Sequence, residues 1–133
     1  MKHSMTCNVR YGEVDRMDTV FCANYFIYHS EARLSYLKSI GIDYAALENE
    51  YSIGLPILET GCKYHKPLRF GDTFEIHTWV DYLSPKFINF KYEIYLHGEL
   101  VNEGYSKAAF VHLKSRKIIT CPDEIYKKFT LKK

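Results

Sequence analysis

Residues 23–41 read ANYFIYHSEARLSYLKSIG and carry the pattern of a long helix. Apolar and small side chains recur at spacings of three and four, which predicts one apolar stripe on a helix from about Ala23 to Ile40. Gly41 follows, where a glycine commonly ends a helix. An amphipathic helix of this length needs an apolar surface to cover, which the rest of the chain has to supply. The predicted stripe contains Phe26, Ile27, Ser30, Leu34 and Leu37.

The segments that follow the long helix change from a helical period to a period of two. A second short helix is predicted at about 43–50, with Asp43 as its N-cap. Beyond it, apolar and polar side chains alternate as they do in strands with one buried face. His97-Gly98-Glu99 supplies a hairpin turn. The predicted strands span residues 53–66, with a break near Gly54–Pro56, and then 73–81, 87–96 and 100–113.

The order of these elements predicts the fold class. A short strand at 5–11, the long helix and at least four consecutive antiparallel strands indicate an α+β layer, in which a meander wraps around one helix. Residues 122–129 are predicted to form a terminal helical turn with Pro122 at its first position. One helix covers only part of such a sheet, so we expect a sheet face or edge to be available to another subunit.

The whole chain has the size and composition of a single domain spanning 1–133. Of its 133 residues, 47% are hydrophobic and 26% are charged, and the net charge of +2 gives no footprint for nucleic acid. No apolar run approaches the roughly 20 residues of a membrane span, and the N-terminal segment lacks the apolar core of a signal peptide. The four cysteines have no CxxC spacing, which indicates a reduced, cytoplasmic protein.

Most familiar catalytic and metal-binding motifs are absent. The sequence contains no GxSxG elbow, no glycine-rich phosphate loop and no HExxH. Cys62 and His65 form the only tempting metal pair, but an offset of three in a strand sends the two side chains to opposite faces. No metal site is therefore predicted.

The stretch YGEVDRMDTVFC (11–22) places carboxylates immediately before the long helix. One interpretation is a polar loop in which Asp18, Thr19 or Cys22 caps the helix without any catalytic role. The other is an acyl-transfer site, because the unpaired N–H groups of a helix N-terminus can stabilise an oxyanion. The residue pattern alone leaves both interpretations open.

The acyl-transfer interpretation has two candidate nucleophiles. Asp15 lies seven residues before the helix start at Cys22, and its carboxylate can attack a carbonyl or activate water. A thiol at a helix N-terminus can also become a nucleophile. That mechanism needs a general base as well, and the nearest histidine, His29, lies two turns into the helix.

Two blocks of sequence resemble hotdog-fold thioesterases of the 4-hydroxybenzoyl-CoA and Tol-Pal-associated acyl-CoA type. The first block is YGEVDRMDTVFCANYFIYHSEARLSYLKSIG (11–41), and the second is GLPILETGCKYHKPLRFGDTFEI (54–76). Together they make the resemblance cover nearly the whole chain. The matching residues are Asp15, Val20, Phe21, Ala23-Asn24-Tyr25 and Glu31-Ala32-Arg33 in the first block, and Pro56, Tyr64, Pro67, Arg69 and Asp72 in the second.

The resemblance implies a fold, an activity and an assembly. The fold is an antiparallel sheet curled around the long helix, and the activity is hydrolysis of an acyl-CoA. Subunits are expected to form dimers joined edge to edge, often paired into homotetramers, with active sites at the dimer interface.

The resemblance also implies roles for particular residues. Asp15 is the nucleophile or general base, and the backbone N–H of Cys22 is the oxyanion donor. Lys86 is a candidate contact for a CoA phosphate, with Arg69 and Lys66 as further candidates. Water and a carboxylate suffice for this chemistry, so no metal or organic cofactor is needed.

Two positions depart from the family pattern. Asp18 stands where the family usually has glycine, and Cys22 stands where it often has histidine. Aspartate tolerates a positive φ better than most residues, but a second negative charge would oppose ionisation of Asp15. Three functions therefore remain to be compared: an acyl-CoA thioesterase, a thioesterase acting on acyl carrier protein, and a hotdog protein that binds acyl thioesters without hydrolysing them.

Overall fold

This computed structural model describes residues 2–131, in which an antiparallel sheet wraps around one long helix. The helices are α1 (Asn24–Ser39), α2 (Tyr44–Tyr51) and α3 (Asp123–Thr130). The strands are β1 (His3–Asn8), β2 (Ile53–Gly54), β3 (Ile57–Tyr64), β4 (Thr73–Leu83), β5 (Phe87–Leu96), β6 (Glu99–Ala109) and β7 (Val111–His112). The main sheet has five strands in the order β1-β4-β5-β6-β3, and β2 pairs with β7 separately. None of the described helices is both long and apolar enough to cross a bilayer.

The sheet confirms the predicted α+β class and corrects the strand order. Strands β4, β5 and β6 form the predicted antiparallel meander, but β3 pairs with β6 rather than with β4. In the turn between β5 and β6, His97 and Gly98 have φ angles of 51° and 78°. Positive φ at both central residues is the mark of a type I′ turn, whose twist matches that of the flanking strands. The predicted hairpin is confirmed.

The face of α1 that packs on the sheet differs from the predicted stripe. Leu37 is the only fully buried member of that stripe, whereas Ile27 and Leu34 are 52% and 44% exposed. The observed buried face also repeats at three and four, so the predicted period is right and its phase is wrong. Aromatic and histidine side chains form most of this face, which a pattern built on aliphatic residues misses. The buried residues of α1 are Tyr25, Tyr28, His29, Ala32, Tyr36 and Leu37.

The C-terminus of α1 is closed by Gly41, as predicted. Gly41 has a φ of 83°, and its N–H donates to the Lys38 carbonyl at 3.1 Å. The N–H of Ile42 donates to the Leu37 carbonyl at 2.9 Å. These two bonds form a Schellman motif, which requires a residue with positive φ at the glycine position.

Other element boundaries match the sequence to within a few residues. The Asp43 carboxylate caps α2 by accepting from the Ala45 N–H at 3.1 Å, as predicted. Helix α3 begins at Asp123, because Pro122 occupies the N-cap rather than the first helical position. Strand β1 ends at Asn8, and a single 3₁₀ turn at Tyr11–Glu13 replaces the predicted end of the strand.

The edge strand β3 is left largely uncovered by the other elements of the fold. Helix α1 packs against β1, β4 and β5 and leaves β3, at the far edge, with mostly exposed side chains. Leu58 on this strand is 58% exposed. Tyr64, the last residue of β3, contacts the residues that precede α1. The start of the helix and the end of the edge strand therefore meet.

Candidate active site

Asp15 begins a tight hairpin that leads into α1. The hairpin is closed by an isolated antiparallel bridge between Val14 and Val20. Inside it, the Asp15 N–H donates to the Thr19 carbonyl at 2.9 Å, and the Asp18 N–H donates to the Asp15 carbonyl at 3.1 Å. Asp18 has a φ of 61°, a conformation that aspartate tolerates better than most residues do. The turn therefore forms with aspartate in place of the glycine of the family pattern.

The Asp15 carboxylate is exposed, and the turn holds it by one oxygen. Its Oδ1 accepts from the Met17 N–H at 2.9 Å and from the Thr19 hydroxyl at 3.5 Å. The first of these bonds is an Asx turn, which fixes the direction of the side chain. Within residues 2–131, Oδ2 takes part in no hydrogen bond. One oxygen is thus anchored and the other is available for chemistry.

Glu13 anchors this hairpin, and sequence reasoning missed it. Its carboxylate accepts from the Arg10 N–H and Nη2 at 2.8 Å each, and from the Tyr28 hydroxyl at 2.9 Å. Burial alone would raise the pKa of Glu13, but the hydrogen bonds from Arg10 and Tyr28 outweigh it and lower the pKa. The Glu13 backbone carbonyl accepts from the Phe21 N–H and the Asn24 side chain, both at 2.9 Å. The three-residue spacing of Arg10 and Glu13 was the available signal.

The two backbone amides that immediately precede α1 have no hydrogen-bond acceptor within residues 2–131. The Asn24 N–H donates to the Phe21 carbonyl at 2.9 Å, but across the described chain neither the Cys22 N–H nor the Ala23 N–H donates a hydrogen bond. No side chain caps the helix at Ala23. The interpretation in which Asp18, Thr19 or Cys22 serves as the cap is therefore wrong. Two adjacent free donors at a helix N-terminus carry partial positive charge and can bind an oxyanion.

A cleft of about 270 Å³ opens beside these amides. The Tyr64 hydroxyl donates to the Cys22 carbonyl at 2.8 Å, and its ring meets Tyr25 edge to face at 5.1 Å between centroids. The Tyr25 hydroxyl in turn accepts from the Leu68 N–H at 3.2 Å. Thr19, which contacts Asp15, also lines the cleft. The cleft is thus bordered by the hairpin, the helix start and the chain that follows β3.

The three candidate basic residues have different surroundings. Lys66 lines the cleft and forms an ion pair with Glu99. Arg69 lies in the segment that bridges to Thr19 of the hairpin. Lys86 lies between β4 and β5, at the end of the sheet where β3 begins. Strand β3 runs from that end to the cleft and has 8 residues. At a rise of ~3.3 Å per residue, its two ends are about 23 Å apart. A single chain does not bring Lys86 to the cleft.

His29 lies in a buried polar group under α1, which we call the His29 cluster: His29, Arg33, Tyr92, Asn102 and Ser106. The His29 ring stacks on Tyr92 at 4.5 Å between centroids, and its Nε2 lies 2.8 Å from Asn102 Oδ1. The Asn102 amide nitrogen donates to the Lys63 carbonyl at 3.1 Å, so its oxygen faces His29 and Nε2 carries the proton. Burial lowers the pKa of His29 to about 4.

Arg33 completes the cluster through neutral partners. Its guanidinium donates to the Tyr92 hydroxyl at 2.9 Å and to the hydroxyls of Ser106 and Ser30 at 3.4 Å and 3.3 Å. No group of three or more potential metal ligands occurs in residues 2–131.

Comparison with known proteins identifies the family. Residues 9–129 match the thioesterase-like superfamily, which is most of the chain. The chain belongs to this superfamily, and its sheet and central helix form the hotdog fold that the sequence predicts.

Individual relatives agree with this assignment. A protein of Aquifex aeolicus (strain VF5) that carries the name of a candidate esterase is 32% identical over 117 residues, which is 88% of this chain and 89% of the relative. The candidate acyl-CoA thioesterase YneP of Bacillus subtilis (strain 168) is 35% identical over 88 residues, or 65% of this chain and 62% of YneP. Among solved structures, the DHNA-CoA thioesterase from Staphylococcus aureus has a TM-score of 0.89 and 28% identity, covering 98% of this chain and 91% of that one.

Proposed function

We propose that the protein is an acyl-CoA thioesterase, which hydrolyses an acyl-CoA to the free acid and CoA. The observation that carries this proposal is that the Cys22 and Ala23 amides, which donate no hydrogen bond within residues 2–131, directly follow a hairpin that leaves one oxygen of Asp15 unbonded. Thr19 of this hairpin and Cys22 line the same cleft. The family assignment and the names of the relatives support the same reaction. Asp15 and the Cys22 N–H are the proposed catalytic groups.

The chemistry needs only these groups and water. The thioester carbonyl oxygen accepts from the Cys22 N–H, which stabilises the negative charge that develops during attack. Asp15 either removes a proton from water, which then attacks the carbonyl carbon, or attacks it directly. In the first route the tetrahedral intermediate expels CoA thiolate, which takes up a proton. In the second, attack by the Asp15 carboxylate expels CoA thiolate, which takes up a proton, and leaves an acyl-aspartyl anhydride, which water then hydrolyses to the free acid and the Asp15 carboxylate.

We also propose that the site is shared between two subunits of a homodimer or homotetramer. The exposed edge strand β3 supports this assembly, because a two-fold axis at such an edge would pair two copies of β3 antiparallel. That pairing would bring the start of one β3, and with it Lys86, toward the cleft of the other subunit. Lys66 and Arg69, at or near the cleft, are the other proposed contacts for CoA phosphates.

Light scattering at micromolar concentration tests the assembly. We expect no dominant species near the monomer mass of 15.7 kDa. A stable and active monomer would contradict the shared site.

The thiol carrier and the location of the protein belong to the same proposal. Coenzyme A is favoured over acyl carrier protein because the relatives YneP and the Staphylococcus aureus DHNA-CoA thioesterase are named for CoA thioesters. A cytoplasmic location is supported by the cysteines Cys7, Cys22, Cys62 and Cys121, all of which are free thiols.

A thioesterase assay across a panel of acyl-CoAs tests the function directly. The panel should contain short, medium and long fatty acyl groups as well as aromatic ones, with the release of free thiol as the readout. We expect turnover of at least one class, and its loss in the Asp15→Asn variant, which keeps the size of the side chain. Binding of acyl-CoA without thiol release would favour the non-catalytic alternative. Turnover of acyl carrier protein thioesters alone would favour the second alternative.

A further inference from the structure

The geometry points to Tyr64 as the residue that positions a second oxyanion donor, the Ala23 N–H, beside the Cys22 N–H. This inference rests on the proposed thioesterase function, because it concerns how the same site is held. It begins from the 2.8 Å hydrogen bond between the Tyr64 hydroxyl and the Cys22 carbonyl.

One peptide group links that hydrogen bond to the oxyanion site. The Cys22 carbonyl and the Ala23 N–H belong to the same planar, trans peptide, so they point in opposite directions within one plane. Holding the carbonyl therefore sets the direction of the N–H. Within residues 2–131, the only other donor to this carbonyl is the Tyr25 N–H, and at 3.4 Å that bond is long. Tyr64 supplies the stronger restraint.

The neighbouring amide is held by a different bond. The Cys22 N–H belongs to the preceding peptide, whose carbonyl on Phe21 accepts from the Asn24 N–H at 2.9 Å. This bond lies within the helix start and does not involve Tyr64. Removing the Tyr64 hydroxyl is therefore expected to loosen the Ala23 amide while the Cys22 amide stays in place.

Tyr64 is also suited to remain a donor during turnover. Burial, with the Cys62 thiol nearby, holds the pKa of the Tyr64 phenol above its usual value, so the hydroxyl keeps its proton. A carbonyl that accepts a strong hydrogen bond polarises its own peptide, which makes the attached N–H a better donor. Tyr64 thus orients the Ala23 N–H and strengthens it, without touching the substrate carbonyl itself.

The position of Tyr64 separates this role from a purely structural one. Its side chain is 49% exposed at the end of the edge strand, and water can replace its hydroxyl as a partner of the Cys22 carbonyl. Loss of the hydroxyl should therefore cost little stability. A mobile water does not fix the plane of the peptide, so the cost should appear in catalysis.

The test compares Tyr64→Phe with Tyr105→Phe in the full-length protein. Tyr105 is a matched control, since its hydroxyl donates to Glu59 at 2.8 Å and its ring covers Gly61 where β6 pairs with the edge strand β3, outside the residues that line the cleft. With the best acyl-CoA of the panel, we expect Tyr64→Phe to lower kcat about tenfold with KM within about twofold of wild type. Tyr105→Phe should leave both constants unchanged.

Two further measurements keep the inference testable. In ¹⁵N NMR spectra, Tyr64→Phe should shift the Ala23 amide resonance much more than that of Cys22. Site-specific replacement of Tyr64 by 3-fluorotyrosine keeps the shape and gives a stronger hydrogen-bond donor, so kcat should stay at or above the wild-type value even if the Phe variant folds poorly.

The outcomes separate this inference from the proposed function. Wild-type kcat in a folded Tyr64→Phe variant, or a lowered kcat in the fluorotyrosine protein, would overturn the role of Tyr64 and leave the thioesterase function standing. A wild-type protein that turns over no acyl-CoA in the panel would overturn both.

Discussion

Two polar regions of α1, the His29 cluster in the middle of the helix and the residues at its start, differ in how completely their groups are hydrogen-bonded. In the His29 cluster, nearly every polar atom bonds another protein group. Among the side chains of the described residues, only the His29 Nδ1 and the hydroxyl of Thr78, on β4, are buried without a partner. At the helix start, two amides and one carboxylate oxygen are free and reach a cleft or the solvent. The first region uses polar groups to join helix and sheet, and the second keeps them available.

This difference explains which titratable residue near the helix can do chemistry. His29 would be an attractive general base by residue type, but its ring is 1% exposed and packs over Gly104, where a methyl group would lie 2.4 Å from it. It cannot reach a substrate at the helix start. Asp15 is a weaker base by type, yet it is exposed and oriented. Accessibility therefore favours Asp15 over His29 as the proposed catalytic group.

The largest expected effect is the loss of activity on removing the Asp15 carboxylate. Asp15→Ala should lower kcat by roughly 10²-fold or more, about 3 kcal/mol of transition-state stabilisation, because a general base or nucleophile is lost. Steady-state thiol release measures this. The melting temperature should change little, since the side chain is exposed.

Cys22→Ala is the matched variant for that experiment. It should cost less than about tenfold in kcat, because the proposed oxyanion donor is the main-chain N–H and survives the change. The variant should also resist inactivation by thiol alkylation while remaining active. An inactive Cys22→Ala protein together with a nearly normal Asp15→Ala protein would make the thiol the nucleophile.

The next effect concerns the buried region and appears in stability rather than activity. The pKa of His29 is about 4 in the folded state and 6.5 when unperturbed, so the unfolded chain binds a proton first as pH falls. Stability should be full above pH 6.5 and decline between pH 6.5 and 4, by on the order of 3 kcal/mol. Urea denaturation at pH values from 7.5 to 5 should show the free energy of unfolding falling with pH along this slope.

The His29→Gln variant should flatten that slope, because glutamine can bond Asn102 but does not titrate. Above pH 7 the free energies of unfolding of the wild type and the variant should depend on pH in the same way, whatever the difference between them. Equal slopes below pH 6.5 would mean that another group controls the acid sensitivity.

A smaller effect is expected at Glu13, the anchor of the hairpin that carries Asp15. The pKa of Glu13 is lowered in the folded protein, so its contribution is present above the usual pKa of 4.5 and is lost as pH falls below it. Glu13→Gln should reduce stability at pH 7 by about 1–2 kcal/mol, as expected for hydrogen bonds to a partly buried charge. Thermal unfolding at pH 7 and pH 3.5 should show the difference shrinking at the lower pH. A constant difference would indicate a packing effect instead.

Sequence alone supplied the architecture because local signals and the fold agree there. Gly41, Asp43 and the His97-Gly98 turn are short-range features, and each needs only its own backbone geometry. The phase of α1 could not be predicted in the same way. Whether Ile27 or Tyr28 is buried depends on strands far away in sequence, and Arg33 and Asn102 make His29 acceptable in the core only once the sheet has formed.

The candidate site shows the same division. Asp15 and the amides at Cys22 were accessible to prediction because they lie within one short stretch whose spacing carries a resemblance to a family. Tyr64 matched the family pattern without an apparent role, since its contact with the Cys22 carbonyl joins residues 42 positions apart. Glu13 was missed because its importance comes from Tyr28, which is identified as a partner only when the helix phase is known.

The smallest effect should come from Asp18, which holds the turn that presents Asp15. Its φ of 61° suits glycine, and an alanine there costs roughly 1 kcal/mol because its Cβ approaches the following carbonyl. Asp18→Gly should therefore leave the free energy of unfolding nearly unchanged and kcat within about twofold of wild type. Asp18→Ala should lower the free energy of unfolding by under about 1 kcal/mol and reduce kcat several-fold, because it loosens the hairpin. Thermal unfolding and kinetics on the same two preparations measure both quantities. If alanine and glycine behave alike, the backbone conformation at this position does not control the carboxylate, and the orientation of Asp15 must come from the Met17 and Thr19 contacts alone.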